Sequence, residues 1–363
     1  MINKIVFFVT GLDSGGIENY LLRFLKYKAT SFLKIIVYCK GGNGGQLENE
    51  YLKIPNVQII KNKLSFFNPI DYINLTKYFK QHHFDTVCDF TGNFAGPILW
   101  SAKQAGIKNR VAFYRGSTDH FEKTFLKSQY NSFVKRLTYK YASSILSNSQ
   151  AAFDFFYSKR RQDNRFKVIY NGVDSKQFEV GNQNLRQALN IPNHAFVIGH
   201  TGRYNPAKNH RVIVEVAEKL IKMHNDIYFI LCGNGVKENL KDKVKELEID
   251  SNVRLFENRS DIPVFLNSMD AFFFPSITEG QPNALIEAMI MGLPFVASDI
   301  EPIKETVGKN SYLLNPNDIN GFVFILEDFY LKNVKRNSTL RDQTIKKFDY
   351  KERFNELYYV LVK

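Results

Sequence analysis

The sequence predicts an α/β protein of two doubly wound, parallel-sheet domains, and three observations lead there. The chain has 363 residues, too many for one ordinary core and enough for two units of roughly 170 residues each. Short apolar, β-branched runs alternate with helical stretches from end to end, the pattern of parallel strands joined by crossover helices. The alternation breaks once, at a polar Gly/Asn/Gln-rich stretch, and then starts afresh.

In the first half, strands are expected at 5–9, 33–39, 57–60, 86–88, 111–113, 145–147 and 167–169. In the second half they are expected at 195–200, 227–232, 253–256, 271–274, 295–297 and 311–313. Between the series, Asn171-Gly172-Val173-Asp174 leads into the polar stretch up to Asn184, which reads as the interdomain linker. The boundaries are therefore set at 1–174, 175–345 and a tail of 346–363. The tail has helical spacing, with Phe354, Leu357, Tyr358 and Leu361 on one face. Periodicity does not say whether that helix packs on the second domain or crosses back to the first.

Composition narrows the class. Apolar residues make up 44% of the chain and aromatics 14%, ample for buried cores. No run approaches the ~20 apolar residues of a membrane span, and the first residues lack the features of a signal peptide. Cys39, Cys88 and Cys232 are too scattered for a disulfide framework. A cytoplasmic protein is expected. Forty-nine Lys and Arg against thirty-six Asp and Glu give a net charge of +13, which favours anionic membrane surfaces and polyanions. The clusters Lys135-Arg136, Lys159-Arg160-Arg161 and Lys346-Lys347 come without any nucleic-acid motif, so no nucleic-acid partner is expected.

Chemistry gathers at strand ends. The first strand runs into Thr10-Gly11-Leu12-Asp13-Ser14-Gly15-Gly16 before a helix. Gly15 and Gly16 would let backbone N–H groups and a helix N-terminus approach an anion, although such a pair alone is equally a tight turn. It is not a dinucleotide fingerprint, since Gly-x-Gly-x-x-Gly is absent. The second domain's first strand ends in Gly199-His200-Thr201-Gly202-Arg203, with Lys208 a few residues on. Arg203 offers a planar fork of donors and Lys208 a mobile point charge, a pair suited to a diphosphate.

The segment Glu279-Gly280-Gln281-Pro282-Asn283-Ala284-Leu285-Ile286-Glu287 follows another strand. Pro282 suits the first turn of a helix, so Asn283, Ala284 and Leu285 would present N–H groups there. Glu279 would precede that helix and Glu287 lie inside it, so the two carboxylates would meet different parts of one ligand. Taken alone, two such glutamates also read as an exposed acid and an ion pair.

With these motifs in order, the sequence resembles the retaining glycosyltransferases of the GT-B fold, notably glycosyltransferase family 4, across nearly the whole chain. Glu279 to Glu287 looks like that family's Glu-x7-Glu motif. Gly15-Gly16-Ile17-Glu18, Ser147-Asn148-Ser149, Asn171 to Asp174, Gly202-Arg203 with Lys208-Asn209, and Met291 to Ala297 also match. The resemblance implies two Rossmann-like domains facing a cleft and a nucleotide-sugar donor, UDP-linked by family habit. By position, Arg203 and Lys208 would hold the diphosphate and Glu287 the ribose. Glu279 and the backbone of 281–285 would hold the sugar and distal phosphate, and Gly15 and Gly16 would close over them. No cofactor and no metal are expected. An acceptor-side residue is expected in Tyr114-Arg115-Gly116-Ser117-Thr118-Asp119-His120, with Arg115, Ser117, Asp119 and His120 as candidates and His120 and Arg115 preferred.

The expected reaction is metal-independent transfer, with retention, to a hydroxyl of a glycan or lipid-linked acceptor in surface-polysaccharide synthesis. Rival readings are a nucleotide-sugar epimerase of the same fold and a catalytically silent nucleotide-sugar-binding subunit. On the acceptor side, Leu126, Tyr130, Phe133, Val134, Leu137 and Tyr141 form one helical stripe, with Lys127, Lys135, Arg136 and Lys140 nearby. It reads either as an ordinary core-facing stripe or as a membrane-facing helix that holds the protein peripherally at the inner face.

Overall fold

A computed structural model describes residues 3–65, 68–116, 125–158, 163–308 and 312–363, with the side chains of Asn3 and Leu126 left aside. The chain divides into two units, Met1–Gly172 joined by Lys351–Lys363, and Val173–Tyr350. Each is a parallel sheet with helices on both faces.

In the first unit the strands are β1 (Asn3–Val9), β2 (Phe32–Cys39), β3 (Val57–Lys61), β4 (Thr86–Asp89), β5 (Asn109–Tyr114), β6 (Ser144–Ser147) and β7 (Phe166–Val168). They form one seven-stranded sheet in the order β3-β2-β1-β4-β5-β6-β7. The helices are α1 (Gly16–Lys28), α2 (Glu48–Leu52), α3 (Pro69–His82), α4 (Gly96–Gln104), α5 (Phe125–Tyr141) and α6 (Gln150–Phe156). Central strand β1 is covered on both faces, so Ile5 to Val9 are all apolar and fully buried.

In the second unit, β8 (Phe196–Thr201), β9 (Ile227–Cys232), β10 (Val253–Phe256), β11 (Ala271–Phe274), β12 (Phe295–Ser298) and β13 (Tyr312–Leu314) form a six-stranded sheet ordered β10-β9-β8-β11-β12-β13. Its helices are α7 (His210–Met223), α8 (Val236–Glu246), α9 (Ile262–Asn267), α10 (Asn283–Ile290), α11 (Glu301–Val307), α12 (Ile319–Leu331) and α13 (Ser338–Lys347). All thirteen expected strand positions carry a strand, displaced by two residues at most. In both sheets the chain order reverses beside the first strand, between β1 and β4 and between β8 and β11. In open α/β sheets the crevice at the carboxyl ends of such a reversal is where ligands bind.

The tail does not stay with the second unit. Helix α14 (Tyr350–Leu361) packs into the first, where Phe354 lies 5.4 Å from the ring of Tyr20 and 5.7 Å from that of Phe24. Its last carbonyls are satisfied from the sheet. Asn109 Nδ2 donates to Val360 O at 2.8 Å and Leu361 O at 3.0 Å, and Thr86 Oγ1 to Leu361 O at 2.7 Å. The chain thus passes between the units twice, and just inside the second unit Val173 N–H donates to Phe348 O at 2.9 Å.

The polar stretch after Asp174 is not a free linker. Asn267 Nδ2 donates to the carbonyls of Gly181 (2.9 Å) and Gln183 (2.8 Å), which ties the stretch to the second unit.

Phe354 is 1% exposed within this ring cluster, so Phe354→Ala should open a cavity and cost about 3–5 kcal/mol. Urea unfolding of the full chain checks this, and a loss below about 1 kcal/mol would show that α14 is not part of the core.

Candidate active site

The expected donor residues of the second unit gather at the carboxyl edge of its sheet. After β8 the chain turns at Gly202, whose N–H donates to Cys232 O at 2.8 Å, while Tyr204 N–H donates to Asn234 O at 2.8 Å. The loops after β8 and β9 therefore lie backbone on backbone. Only glycine allows this at Gly233, where a Cβ would stand 2.0 Å from Gly202 O. Next, Asn205 caps the short turn Pro206–Lys208, its side chain accepting Lys208 N–H at 3.1 Å. Asn209 adopts the left-handed conformation (φ 57°). Its Nδ2 donates to Pro275 O at 3.2 Å and Pro316 O at 2.8 Å. Lys208 is thus held between two pinned asparagines.

Its ammonium meets the segment after β11. Lys208 Nζ lies 2.5 Å from Glu279 Oε1 and 5.0 Å from the centre of the Phe274 ring. The two side chains are 18% and 10% exposed, so the pair is less screened than a surface ion pair. Arg203 sits at the same edge, exposed, and makes no ion pair among the described residues. The edge therefore combines one mobile cation with one held by a carboxylate.

Helix α10 begins one residue later than the sequence implied. Ile286 N–H donates to Pro282 O at 3.0 Å, so Pro282 is the N-cap and Asn283 the first helical residue. Pro282 itself offers no side-chain cap. Helix α8 differs, because Glu257 fills its N-terminus. The carboxylate accepts from Gly235 N–H at 2.5 Å, Lys237 N–H at 3.1 Å and Glu238 N–H at 3.2 Å. The start of α8 is thus occupied by a carboxylate of its own unit. Gln281 is buried, and Gly280, Asn283 and Ala284 are half-buried. Leu285 is fully buried. Glu287 lies half-buried one turn on.

Beneath this edge lies a polar layer that sequence reading missed. His200 and His210 are buried, with ring centres 5.2 Å apart. His200 Nδ1 bonds to Phe273 O at 2.9 Å, which makes Nδ1 the protonated nitrogen. Burial holds the His200 imidazole well below its usual pKa, and burial followed by the nearby Lys208 charge lowers that of His210 to about 4. Both rings are neutral near neutral pH. The hydroxyls of Thr201, Ser276 and Ser298, at or just beyond the ends of β8, β11 and β12, are also buried and have no hydrogen-bond partner among the described residues. In sequence, a histidine in an apolar run reads as core, and nothing marks these hydroxyls.

In the first unit, Gly15 is the N-cap of α1 and Gly16 its first residue. A Cβ on Gly16 would meet nothing within 4 Å, so the fold itself does not demand glycine there. Arg115 is stacked on Tyr20, its guanidinium carbon 3.8 Å from the ring centre. Burial lowers its pKa to about 10, which leaves it charged. Ser117, Asp119 and His120 lie outside the described residues. A second ion pair, not anticipated, sits where β2 and β4 end. Lys40 Nζ lies 3.3 Å from Asp89 Oδ2 and 2.5 Å from Thr91 Oγ1, and Asp89 is fully buried.

Comparison with known proteins bears on both units. Residues 14–177 match the family model described as Glycosyltransferase Family 4, and residues 181–347 the model described as Glycosyl transferases group 1. One relative is the UDP-Gal:alpha-D-GlcNAc-diphosphoundecaprenol alpha-1,3-galactosyltransferase of Escherichia coli. It is 27% identical over 289 residues, covering 74% of this chain and 70% of that one. Another is the N-acetylgalactosamine-N,N'-diacetylbacillosaminyl-diphospho-undecaprenol 4-alpha-N-acetylgalactosaminyltransferase of Campylobacter jejuni, 24% identical over 360 residues and covering 92% and 93% of the two chains. Among solved structures, Anabaena Alr3699/HepE in complex with UDP superposes with a TM-score of 0.82 over 99% of each chain, at 22% identity.

The buried imidazoles make this unit acid-sensitive. An unfolded histidine protonates near pH 6.5, whereas folded His210 resists to about 4. The unfolded state thus binds the extra proton in that window, and stability present above pH 6.5 is lost as pH falls toward 4, by about 3 kcal/mol for this one group. Urea unfolding across pH 4–7 should show a shallower decline for His210→Leu than for the natural chain. Parallel curves would remove His210 as a cause.

Proposed function

The chain is a glycosyltransferase of the GT-B fold, and from that premise we propose the reaction it performs. It moves a sugar, with retention and without a divalent metal, from a UDP-sugar to a hydroxyl of a lipid-linked glycan in surface-polysaccharide synthesis. The observation that carries the donor side is the Lys208–Glu279 pair beside Arg203 and the start of α10. Arg203 and Lys208 meet the diphosphate, and their charge does the work a divalent cation would otherwise do as that group departs. Glu279 orients Lys208 and hydrogen-bonds the sugar. The backbone from Gln281 to Leu285, leading into α10, meets the distal phosphate and sugar, and Glu287 meets the ribose hydroxyls.

In the reaction the bond from the anomeric carbon to the diphosphate oxygen breaks, and the acceptor oxygen bonds to that carbon on the face being vacated. The hydroxyl proton leaves with the diphosphate. No side chain is assigned as a covalent nucleophile, and Arg115, Ser117, Asp119 and His120 remain the acceptor-side candidates.

Support for uridine comes from Alr3699/HepE, solved with UDP and with UDP-glucose, and from the UDP-Gal donor in the Escherichia coli relative's name. Support for the acceptor comes from the diphosphoundecaprenol in the names of both relatives. No helix among the described residues is long and apolar enough to cross a membrane. A cytoplasmic protein held at the inner face by its charge of +13 would reach such an acceptor.

Incubation with a panel of nucleotide sugars and a lipid-extract acceptor should release UDP and leave the sugar on the lipid. Release of an epimer, or binding without turnover, would replace this reading by an epimerase or a silent subunit. With the active donor, Arg203→Ala and Lys208→Ala should each lower kcat/KM by about 10²-fold or more. Glu279→Gln should lower kcat more than it weakens UDP binding. Equal losses in both would move Glu279 away from the sugar.

A further inference from the structure

The donor edge of the second unit holds a buried polar group that the proposed reaction leaves without a task, the imidazole of His200. Strands β8 and β11 pair only at Ile198 with Ala271 and at Gly199 with Phe272. Each then continues on its other neighbour alone, β8 as far as Thr201 opposite Cys232 and β11 as far as Phe274 opposite Ala297. The two strands therefore part at their carboxyl ends, at the chain reversal where open α/β sheets bind ligands.

Across this gap a side chain replaces the backbone ladder. His200 Nδ1 donates to Phe273 O at 2.9 Å, and both residues lie one beyond the last paired position of their strands. The ring is held on several sides. Phe272 and Phe274 flank it at 6.2 and 5.7 Å, close to parallel, and His210 meets it edge-on at 5.2 Å. His200 is fully buried, and such packing confines it to one rotamer. These neighbours would suit an apolar side chain equally well, so packing alone does not call for histidine. The donor to Phe273 O does.

The ring also reaches Lys208. A Cβ on Gly202 would stand 2.9 Å from His200 Nε2, and 3.3 and 3.4 Å from Lys208 Cδ and Cε. The imidazole and the lysine stem thus converge on the space that a side chain at 202 would take. Lys208 in turn pairs with Glu279, which follows β11. Two links therefore span the parted strands, His200 to Phe273 O inside and Lys208 to Glu279 at the rim.

We propose that His200 is a positioning residue of the donor site. Its bond to Phe273 O sets the spacing of the parted strands, and its ring backs the Lys208 stem, so the ammonium is held where the donor diphosphate arrives. This rests on the reading that Lys208 meets the diphosphate. His200 itself touches no substrate.

The UDP affinity of full-length variants, measured by isothermal titration calorimetry, tests the assignment. His200→Leu keeps the bulk but loses the donor, and should weaken UDP binding by about tenfold. His200→Asn, whose Nδ2 lies where the imidazole Nδ1 does, should stay within about threefold of the natural chain. On a Lys208→Ala background, His200→Leu should cause no further loss, because its effect passes through Lys208. A general loosening of the fold would lower affinity by the same factor on both backgrounds, and that result overturns the proposal. Equal losses for Leu and Asn, or no loss for Leu, do so as well. Thermal unfolding checks that each variant is folded. If His200→Leu is not, His200→Gln, whose longer amide cannot place its nitrogen at the Nδ1 position, enters the same cycle with the same expectations. Unchanged UDP binding in Lys208→Ala alone overturns the diphosphate reading and this proposal with it, whereas a loss there combined with an additive His200→Leu overturns the proposal alone.

Discussion

A parallel sheet sets the constraint on which everything else depends. Each strand must return by a crossover, so all strands end at one edge and most crossover helices begin there. Residues far apart in sequence are forced together without any local signal. In the second unit this brings Lys208, after β8, to Glu279, after β11, though 71 residues separate them. The edge is also crowded, which is why the loops after β8 and β9 touch through Gly202 and Gly233 with no side chain between them. Glu257 satisfies the start of α8 internally, and α10 starts four residues after Glu279, the partner of Lys208.

The electrostatics of this edge are coherent from the surface inward. A lone lysine on a loop would sample many rotamers, and binding an anion would cost that freedom. Glu279 holds Lys208 in one place beforehand, at a partial loss of net charge that exposed Arg203 restores. Below, His200 and His210 stay neutral because burial outweighs their hydrogen-bonding options. Neutrality matters, since a protonated His210 would set a second positive charge near Lys208. The buried hydroxyls of Thr201, Ser276 and Ser298, without partners among the described residues, add polarity without charge at the ends of β8, β11 and β12.

Much of the fold was legible because burial on both faces of a parallel sheet leaves continuous apolar runs. Ile5 to Val9 announce a strand unaided. What periodicity could not supply was the partner of an amphipathic face. The stripe Phe354, Leu357, Leu361 marks a helix, but only the ring of Tyr20, more than three hundred residues away, shows where α14 goes. The same limit holds for α5, where Val134 belongs to the core and Phe133, one residue earlier, does not. In the candidate site, the order of their motifs singled out Arg203, Lys208, Glu279 and Glu287, and the structure pairs Lys208 with Glu279. Lys40 and Asp89 escaped because each is an isolated charge in its own neighbourhood, and only the alignment of β2 and β4 on either side of β1 joins them.

An apolar groove in the first unit, with Trp100 of α4 as its floor between α3 and α5, follows from unequal helix lengths. Helix α4 has 9 residues, whereas α3 has 14 and α5 has 17. At 1.5 Å per residue the flanking helices outrun the central one by roughly 8–12 Å. Close approach is enforced at Gly96, where a Cβ would stand 2.4 Å from Val134 O, and Thr138 Oγ1 locks the contact by donating to Asn93 O at 2.9 Å. Walls that overhang a short floor cannot be closed by the core beneath them. The side chains left at the rim, Ile73 and Phe133, are therefore not demanded by the fold. The two units share one architecture, yet the second gathers an ion pair at its sheet edge and the first leaves apolar side chains exposed on its helices.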